Sequence, residues 1–390
     1  MSEPPFPTEL LAAPRSLYLH IPFCDAKCSY CAFHSIGKDH TPDDQIARYL
    51  EALHREIERF EPQAPLETIY FGGGTPSLLS PHQISELGRK LRRQFTLAEH
   101  YEWTMEMNPG SVHDDRLSAA REIGVNRVSL GAQTMDAERL RRMDRQHRPE
   151  DVRTSVAAIR RAGFERFNVD LIYGIPGQGL AGFQFDLDRV FELAPRHLSL
   201  YNLQFEDGTT MTLQRLKGQV EAEDDDVQVA MFECALERTE AAGLSAYEIS
   251  NFAAAGDEAR HNLNYWRNLP YHGLGSGAWG FADGRRYRNL VSIEGYIAAA
   301  GDGGSLRQDE DLIDGRAALV ETLITGLRTR EGLSQDRLMD WFGQDQEWRW
   351  EEPLRDLITE GLAERSERRI RLTRRGFLLS DSVFLRLVGP

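Results

Sequence analysis

Long apolar runs are absent from this 390-residue chain. No uninterrupted stretch approaches the ~18 residues that mark a membrane-crossing helix. The opening MSEPPFPTEL also lacks the basic n-region of a secretory signal. Basic charge is in deficit, with 46 Lys and Arg against 61 Asp and Glu and a net charge of −15. Wholesale nucleic-acid binding needs a basic footprint, so nucleic acid is not an expected partner. Cysteine is scarcer still, at four residues, too few for a disulfide scaffold and in keeping with a reducing compartment. Together these absences predict a cytoplasmic protein. What the chain has in quantity is apolar residues, 41% beside 27% charged. That is enough for a large core and rules out disorder over most of the length.

From Ser16 to about Phe252, short β-type runs alternate with helix-periodic stretches. The strand candidates are SLYLHIPF (16–23), ETIYFGG (67–73), EWTMEMN (102–108), RVSLGAQ (127–133), RFNVDLIYG (166–174) and HLSLYNLQ (197–204). Between the first two, Ile46, Tyr49, Leu50, Leu53, Ile57 and Phe60 recur at three- and four-residue steps, one buried helical stripe. Strand then helix, about six times, implies βα units, a parallel sheet and a full or partial barrel, with function at the C-terminal strand ends. Residues 206–226 read as a polar loop whose acidic end starts a helix. The division expected is a tail at 1–15, a barrel with its extension at 16–300, a Gly/Asp-rich hinge at 301–315 and a small winged-helix-like α+β domain at 316–390. That last domain reads as helix, helix, a basic ribbon (RSERRIRLT, 365–373) and an apolar segment.

Three of the four cysteines, Cys24, Cys28 and Cys31, fall within eight residues as C-x3-C-x2-C, on the loop after the first strand. Three thiolates can hold three irons of a [4Fe–4S] cube and leave the fourth open to a ligand. The same spacing also fits a Cys3His zinc site completed by His34 or His20. Cys234 stands apart, on a helical face with Val227 and Met231, and reads as a buried structural thiol. GGGTP (72–76) ends the second strand, where consecutive glycines let a ligand approach backbone N–H groups. YGIPGQ (173–178) follows the fifth strand and shapes another edge of the same mouth.

The cysteine triad after strand one, the glycines after strand two and the GxIPG turn after strand five resemble the radical S-adenosylmethionine (SAM) superfamily. The resemblance narrows to its coproporphyrinogen-oxidase-like branch. LYLHIPFC, CSYCAF, YFGGGTPSLL, TMEMNPGS, GVNRVSLGAQT, FNVDLIYGIPGQ, YEISNFA and RHNLNYW occur in that branch's order, over about 18–390. It implies a partial (β/α)6-type barrel, a [4Fe–4S] cluster, and SAM chelating the unique iron, whose cleavage would give a 5′-deoxyadenosyl radical. With no second cysteine set, an external flavodoxin- or ferredoxin-like electron donor is expected. Carried over by motif, the SAM site comprises Tyr18, His20, Tyr30, Gly73, Gly74, Thr75, Glu106, Gln133, Arg145 and Asp170. Glu106, Gln133 and Asp170 stand at or near strand ends, so they can converge on one mouth and accept hydrogen bonds. Arg145 can pair with a carboxylate.

Within that branch the chain resembles the heme chaperones more than the oxygen-independent coproporphyrinogen III dehydrogenase. The dehydrogenase carries a fourth cysteine where this chain has Phe33, and a longer segment ahead of the triad than the 23 residues preceding Cys24. His261, Asn262, Tyr265 and Trp266 reproduce the HNxxYW motif of the chaperones, which implies a heme site with an imidazole beside aromatic rings. The alternative is a hydrogen-bonded histidine that packs the barrel end. GLGSGAWG (273–280) departs from relatives that often carry His in place of Trp279. The implied partners are heme and acceptor hemoproteins, including membrane-associated ones, which leaves room for peripheral association. The ribbon arginines (Arg365, Arg368, Arg369, Arg371, Arg374, Arg375), interleaved with Glu364 and Glu367, read first as a solvated face. A docking surface for an acidic partner or anionic lipid is the alternative.

Overall fold

The computed structural model describes residues 4–343 and 348–388. Its centre is a sheet of six parallel strands in sequential order: β1 (Ser16–Ile21), β2 (Leu66–Gly73), β3 (Leu97–Met107), β4 (Arg127–Gln133), β5 (Phe167–Tyr173) and β6 (His197–Asn202). Each begins within about five residues of its sequence-predicted start. The strand His272–Leu274 adds in parallel outside β1, while Asn251–Ala253 and Ser245–Ala246 add antiparallel beyond β6. The two edges do not pair, so the barrel is partial, as expected.

Alternation along the strands separates two chemistries. Leu17, Leu19, Ile69, Trp103, Met105, Val128, Leu130, Val169 and Leu198 are buried under the helices. The intervening residues face the barrel interior and are largely polar: Ser16, Thr68, Glu102, Thr104, Arg127, Ser129, Asn168, His197 and Ser199 are all buried. A polar barrel interior must satisfy its own hydrogen bonds, and these residues bond to one another, as in Asn168 to Ser129 and Ser199 at 2.8 and 2.9 Å.

Helix Gln45–Arg59 carries the predicted stripe, with Tyr49, Leu50, Leu53 and Ile57 buried. Three segments differ from expectation. The 206–226 loop contains the helix Thr210–Leu216, capped by the Thr209 hydroxyl; its acidic end does start the helix Asp225–Ala241. The segment read as a hinge holds the end of helix Ile293–Asp302 and a strand, Arg307–Leu312, paired antiparallel with Arg285–Asn289. Because that strand is exposed along its length, its pattern is polar and gives no β signal. Cys234 is half-buried rather than buried, at the edge of the core and 3.8 Å from Gln184 Nε2.

Beyond it, helices Gly315–Leu327, Gln335–Phe342 and Trp348–Thr359 pack on a three-stranded antiparallel sheet, Leu333–Ser334, Arg369–Leu372 and Ala363–Arg365. Three of the six ribbon arginines form ion pairs: Arg365 with Glu351 at 2.6 Å, Arg369 with Glu331 at 2.8 Å and Arg374 with Glu237 at 3.2 Å. Among the described residues no helix is long and apolar enough to cross a membrane.

Candidate functional site: a cysteine-lined cavity at the strand ends

The short strand Phe23–Cys24 pairs in parallel with Ile36–Gly37, closing the cysteine loop at its base. Inside it, the Cys31 N–H donates to Cys28 O at 3.2 Å, a tight turn, and both residues line the same cavity. Ser29 tethers the loop outward: its N–H donates to Met143 O, and its carbonyl accepts from Met211 N–H of helix Thr210–Leu216 at 2.8 Å. The thiols meet neighbours that favour thiolates, Thr75 Oγ1 at 3.7 Å from Cys24 Sγ and Arg145 Nη1 at 3.5 Å from Cys28 Sγ. Burial pushes the Cys24 and Cys31 thiols up, and hydrogen bonds from Thr75 and Ser35 draw Cys24 part of the way back. The two histidines offered as zinc ligands are engaged elsewhere. His20 Nδ1 lies 2.9 Å from Tyr18 Oη and its Nε2 2.8 Å from His34 O, while His34 Nε2 lies 3.2 Å from Ser276 Oγ. These contacts favour the cluster over a Cys3His site.

The three cysteines open onto a cavity of about 520 Å³, and Tyr30, Gly73, Gly74, Thr75, Glu106, Gln133, Arg145 and Asp170 share its wall. All but two of the residues carried over for the cluster and SAM therefore converge. Tyr18 and His20 stand one layer behind, bonded to each other. The strand end is shaped for close approach: Gly73 has φ +113°, and a Cβ there would lie 2.5 Å from the His20 ring. A Cβ on Gly74 would lie 2.6 Å from Phe23 O. Gln133 holds φ 66° beside a bulge between Gly131 and Gln133, a strained backbone of the kind that re-aims a side chain at a functional edge.

Charged groups of both signs line this wall. Arg145 donates to Gly131 O at 2.6 Å and to Asn108, and its Nε is buried with no partner, leaving a donor for a carboxylate. Glu106 accepts from Tyr70 Oη at 2.8 Å and Gly73 N–H at 3.2 Å. Burial pushes its carboxyl up to about 7 against the pull of those two bonds. Asp170 is likewise raised by burial and accepts from Ser129 Oγ and Asn168 Nδ2 at 3.1 and 2.6 Å. An orphaned guanidinium N–H, two acceptor carboxylates and three grouped thiols fit a methionyl group held over a cluster.

The HNxxYW residues lie apart from the cysteine-lined cavity. His261 is 1% exposed, at the opposite end of the barrel from the cysteines. Its Nδ1 is 2.7 Å from Thr68 Oγ1, its Nε2 2.8 Å from Tyr265 Oη, and its backbone N–H donates to Glu102. Both ring nitrogens are occupied, and burial lowers the imidazole to about 3, so it stays neutral. It stacks under Tyr70 at 5.1 Å and thereby supports the residue that bonds Glu106. Asn262 is half-buried. Trp266 faces away, bonding Glu248 and lining a second cavity of about 210 Å³ beside Arg267 and Arg337. As arranged, the motif plugs the barrel end, its histidine bonded at both ring nitrogens.

Two contributors were not foreseen. Tyr70 links the plug to Glu106; the period-two alternation through Thr68, Tyr70 and Gly72 was the available signal. Asp186, fully buried, accepts from Thr134 Oγ1, Met135 N–H and Gln178 Nε2 at 2.9, 2.6 and 2.9 Å, locking the loops after β4 and β5 together. Nothing in the sequence of its helix marks it.

Residues 18–190 match the Radical SAM superfamily, and residues 313–379 match the HemN C-terminal domain. The chain is 35% identical to the heme chaperone HemW of Lactococcus lactis, over 96% of its length and 97% of that protein. It is 34% identical to the heme chaperone HemW of Bacillus subtilis, over 96% and 99%. Its structure superposes on coproporphyrinogen III oxidase (HemN) from Escherichia coli with a TM-score of 0.83 and 25% identity, covering 97% of this chain and 90% of that one. Polar barrel, cysteine loop and near-complete alignment agree, and the chain belongs to the HemW family of radical SAM proteins.

Proposed function

We propose that this chain is a heme chaperone: it binds heme and delivers it to acceptor hemoproteins, on a barrel that carries a [4Fe–4S] cluster and SAM. The observation that carries the reading is the alignment with heme chaperones over nearly the whole of both chains. Cys24, Cys28 and Cys31 would hold the cluster, and the superfamily's SAM would complete its open iron and supply the sulfonium that a reduced cluster can cleave. Arg145 would take the methionyl carboxylate on its free Nε–H, and the strand ends at Gly73 and Gly74 give the ligand access to backbone. Glu106 and Asp170 would accept from amino or ribose hydroxyl groups, with Tyr70 and Ser129 fixing their orientation. Tyr30, in the wall beside the cysteines, would shield the cluster from water; burial raises its phenol, so it stays neutral.

The working division of the chain is a barrel with its extension at 16–300 and a C-terminal unit at 316–390. An external flavodoxin- or ferredoxin-like protein would donate electrons. The site of action would be the cytoplasm, at its membrane surface when acceptors are membrane-bound.

A second reading, oxidative decarboxylation of coproporphyrinogen III, draws support from the convergent SAM wall and the superposition on that oxidase. Phe33, exposed at the mouth where the dehydrogenase carries a fourth cysteine, speaks against it. The deciding experiment pairs heme titration with a coproporphyrinogen turnover assay on anaerobically reconstituted protein. A stable heme complex without turnover is expected. Robust turnover to protoporphyrinogen with no heme complex would overturn the choice.

A further inference from the structure

With both nitrogens of His261 engaged, the heme-binding reading lacks a surface that meets the porphyrin. An exposed patch beside the cysteine loop has the needed chemistry. His34 lies three residues after Cys31, and its imidazole rests against the turn that begins at Gly275. Its Nε2 is 3.2 Å from Ser276 Oγ, and a Cβ on Gly277 would touch its ring at 2.5 Å. Directly after that turn comes the strand Trp279–Ala282, whose antiparallel partner Arg285–Asn289 sets Arg288 opposite Trp279. Directly opposed residues share a face, and the Arg288 guanidinium sits 5.3 Å from the Trp279 ring centroid.

Trp279 is 46% exposed, unusual for so large an apolar ring. Arg288 is half-buried, and its Nε is buried with no hydrogen-bond partner. Among the described residues it has no ion pair. Its cross-strand neighbour Asp309 instead accepts from Gln308 at 3.0 Å. Its charge reaches the cysteine side all the same: burial lowers His34 to about 4, and the Arg288 charge adds to the depression. On that side Phe33, 71% exposed, forms part of the cavity rim. A desolvated donor without a hydrogen-bond partner is costly, and the indole beside it, packed on that guanidinium, still leaves nearly half its surface to solvent. Both are accounted for by an occupant that is flat, apolar and carries a carboxylate.

We propose that Trp279 and Arg288 form a porphyrin-docking subsite, in which the indole packs on the macrocycle and the guanidinium binds a propionate. The inference rests on the heme-chaperone reading. It places the tetrapyrrole beside the cysteine loop instead of at the buried HNxxYW plug.

The test titrates the reconstituted full-length protein with heme and with heme dimethyl ester, whose propionates are capped, following the Soret band. The wild type should prefer heme over the ester by about tenfold or more, the share of one charge-assisted hydrogen bond. Arg288→Gln should abolish that preference. Trp279→Ala should weaken both ligands by roughly five- to tenfold, and Trp279→Phe should restore most of the loss. Wild-type heme binding with unchanged affinities in all three variants would overturn the subsite alone. A wild type that takes up no heme would sink the chaperone reading and the subsite together.

Discussion

The position of His261 leads to a prediction that separates two readouts, stability and heme affinity. Replacing it by Ala removes contacts from Thr68 Oγ1 and Tyr265 Oη and the stack beneath Tyr70. Thr68 keeps a second partner in Ser16 at 2.9 Å, so its loss is partial. The Tyr265 hydroxyl, lodged in the barrel, loses its partner outright. Two buried hydrogen bonds at about 1 kcal/mol each, a stack at about 1 kcal/mol and a ring-sized void together give a destabilisation of about 3–4 kcal/mol. Urea denaturation followed by tryptophan fluorescence would measure it. SAM affinity should also fall severalfold, because Tyr70 then holds Glu106 less firmly. Heme affinity, measured under conditions where the variant remains folded, should not change. A variant of near wild-type stability that has lost heme would refute this reasoning and return His261 to the heme iron.

Cys28→Ser should abolish the [4Fe–4S] spectrum, and a variant that still carries full iron and sulfide would remove Cys28 from the cluster. Glu106 is raised from 4.5 to about 7 in the folded chain, so folding favours its protonated form. Its contribution therefore declines as pH climbs from about 4.5 through 7, by about 3 kcal/mol in all. Glu106→Gln should flatten that slope in denaturation curves, and parallel wild-type and variant profiles would refute the assignment. Gly73→Ala places a Cβ on the His20 ring and should lower cluster content sharply; full occupancy would show that the strand end tolerates a side chain. Asp186→Ala strands three buried donors and should cost about 3 kcal/mol or more in unfolding free energy.

The six parallel strands were legible because each combines β-branched or aromatic residues with a turn signal at its end. Their C-terminal ends carry most of the residues that line the cysteine cavity. What escaped notice has physical causes. Arg307–Leu312 is an exposed strand whose residues carry no apolar alternation. Thr210–Leu216 is a short helix in a polar stretch, held by its cap and by the contact of Met211 with Ser29. The HNxxYW motif identified a buried element correctly in kind, yet residue type alone does not tell an imidazole awaiting a ligand from one already bonded twice. Arg288 carries no pattern at all; what sets it apart is a buried Nε with no hydrogen-bond partner among the described residues.

The place of the cysteine loop has a consequence for biogenesis. The loop is near the start of the chain, but His34 rests on Ser276, 242 residues later, and β1 gains its outer neighbour only from His272–Leu274. At about 5–20 residues per second, the ribosome would need roughly 12 to 50 seconds to cover that gap. During that time the loop lacks the contacts that His34 and β1 make with those later residues. Stable cluster insertion is therefore expected only after most of the polypeptide has emerged. An N-terminal fragment that ends before residue 270 should leave its cysteines exposed to oxidation and poorly metallated.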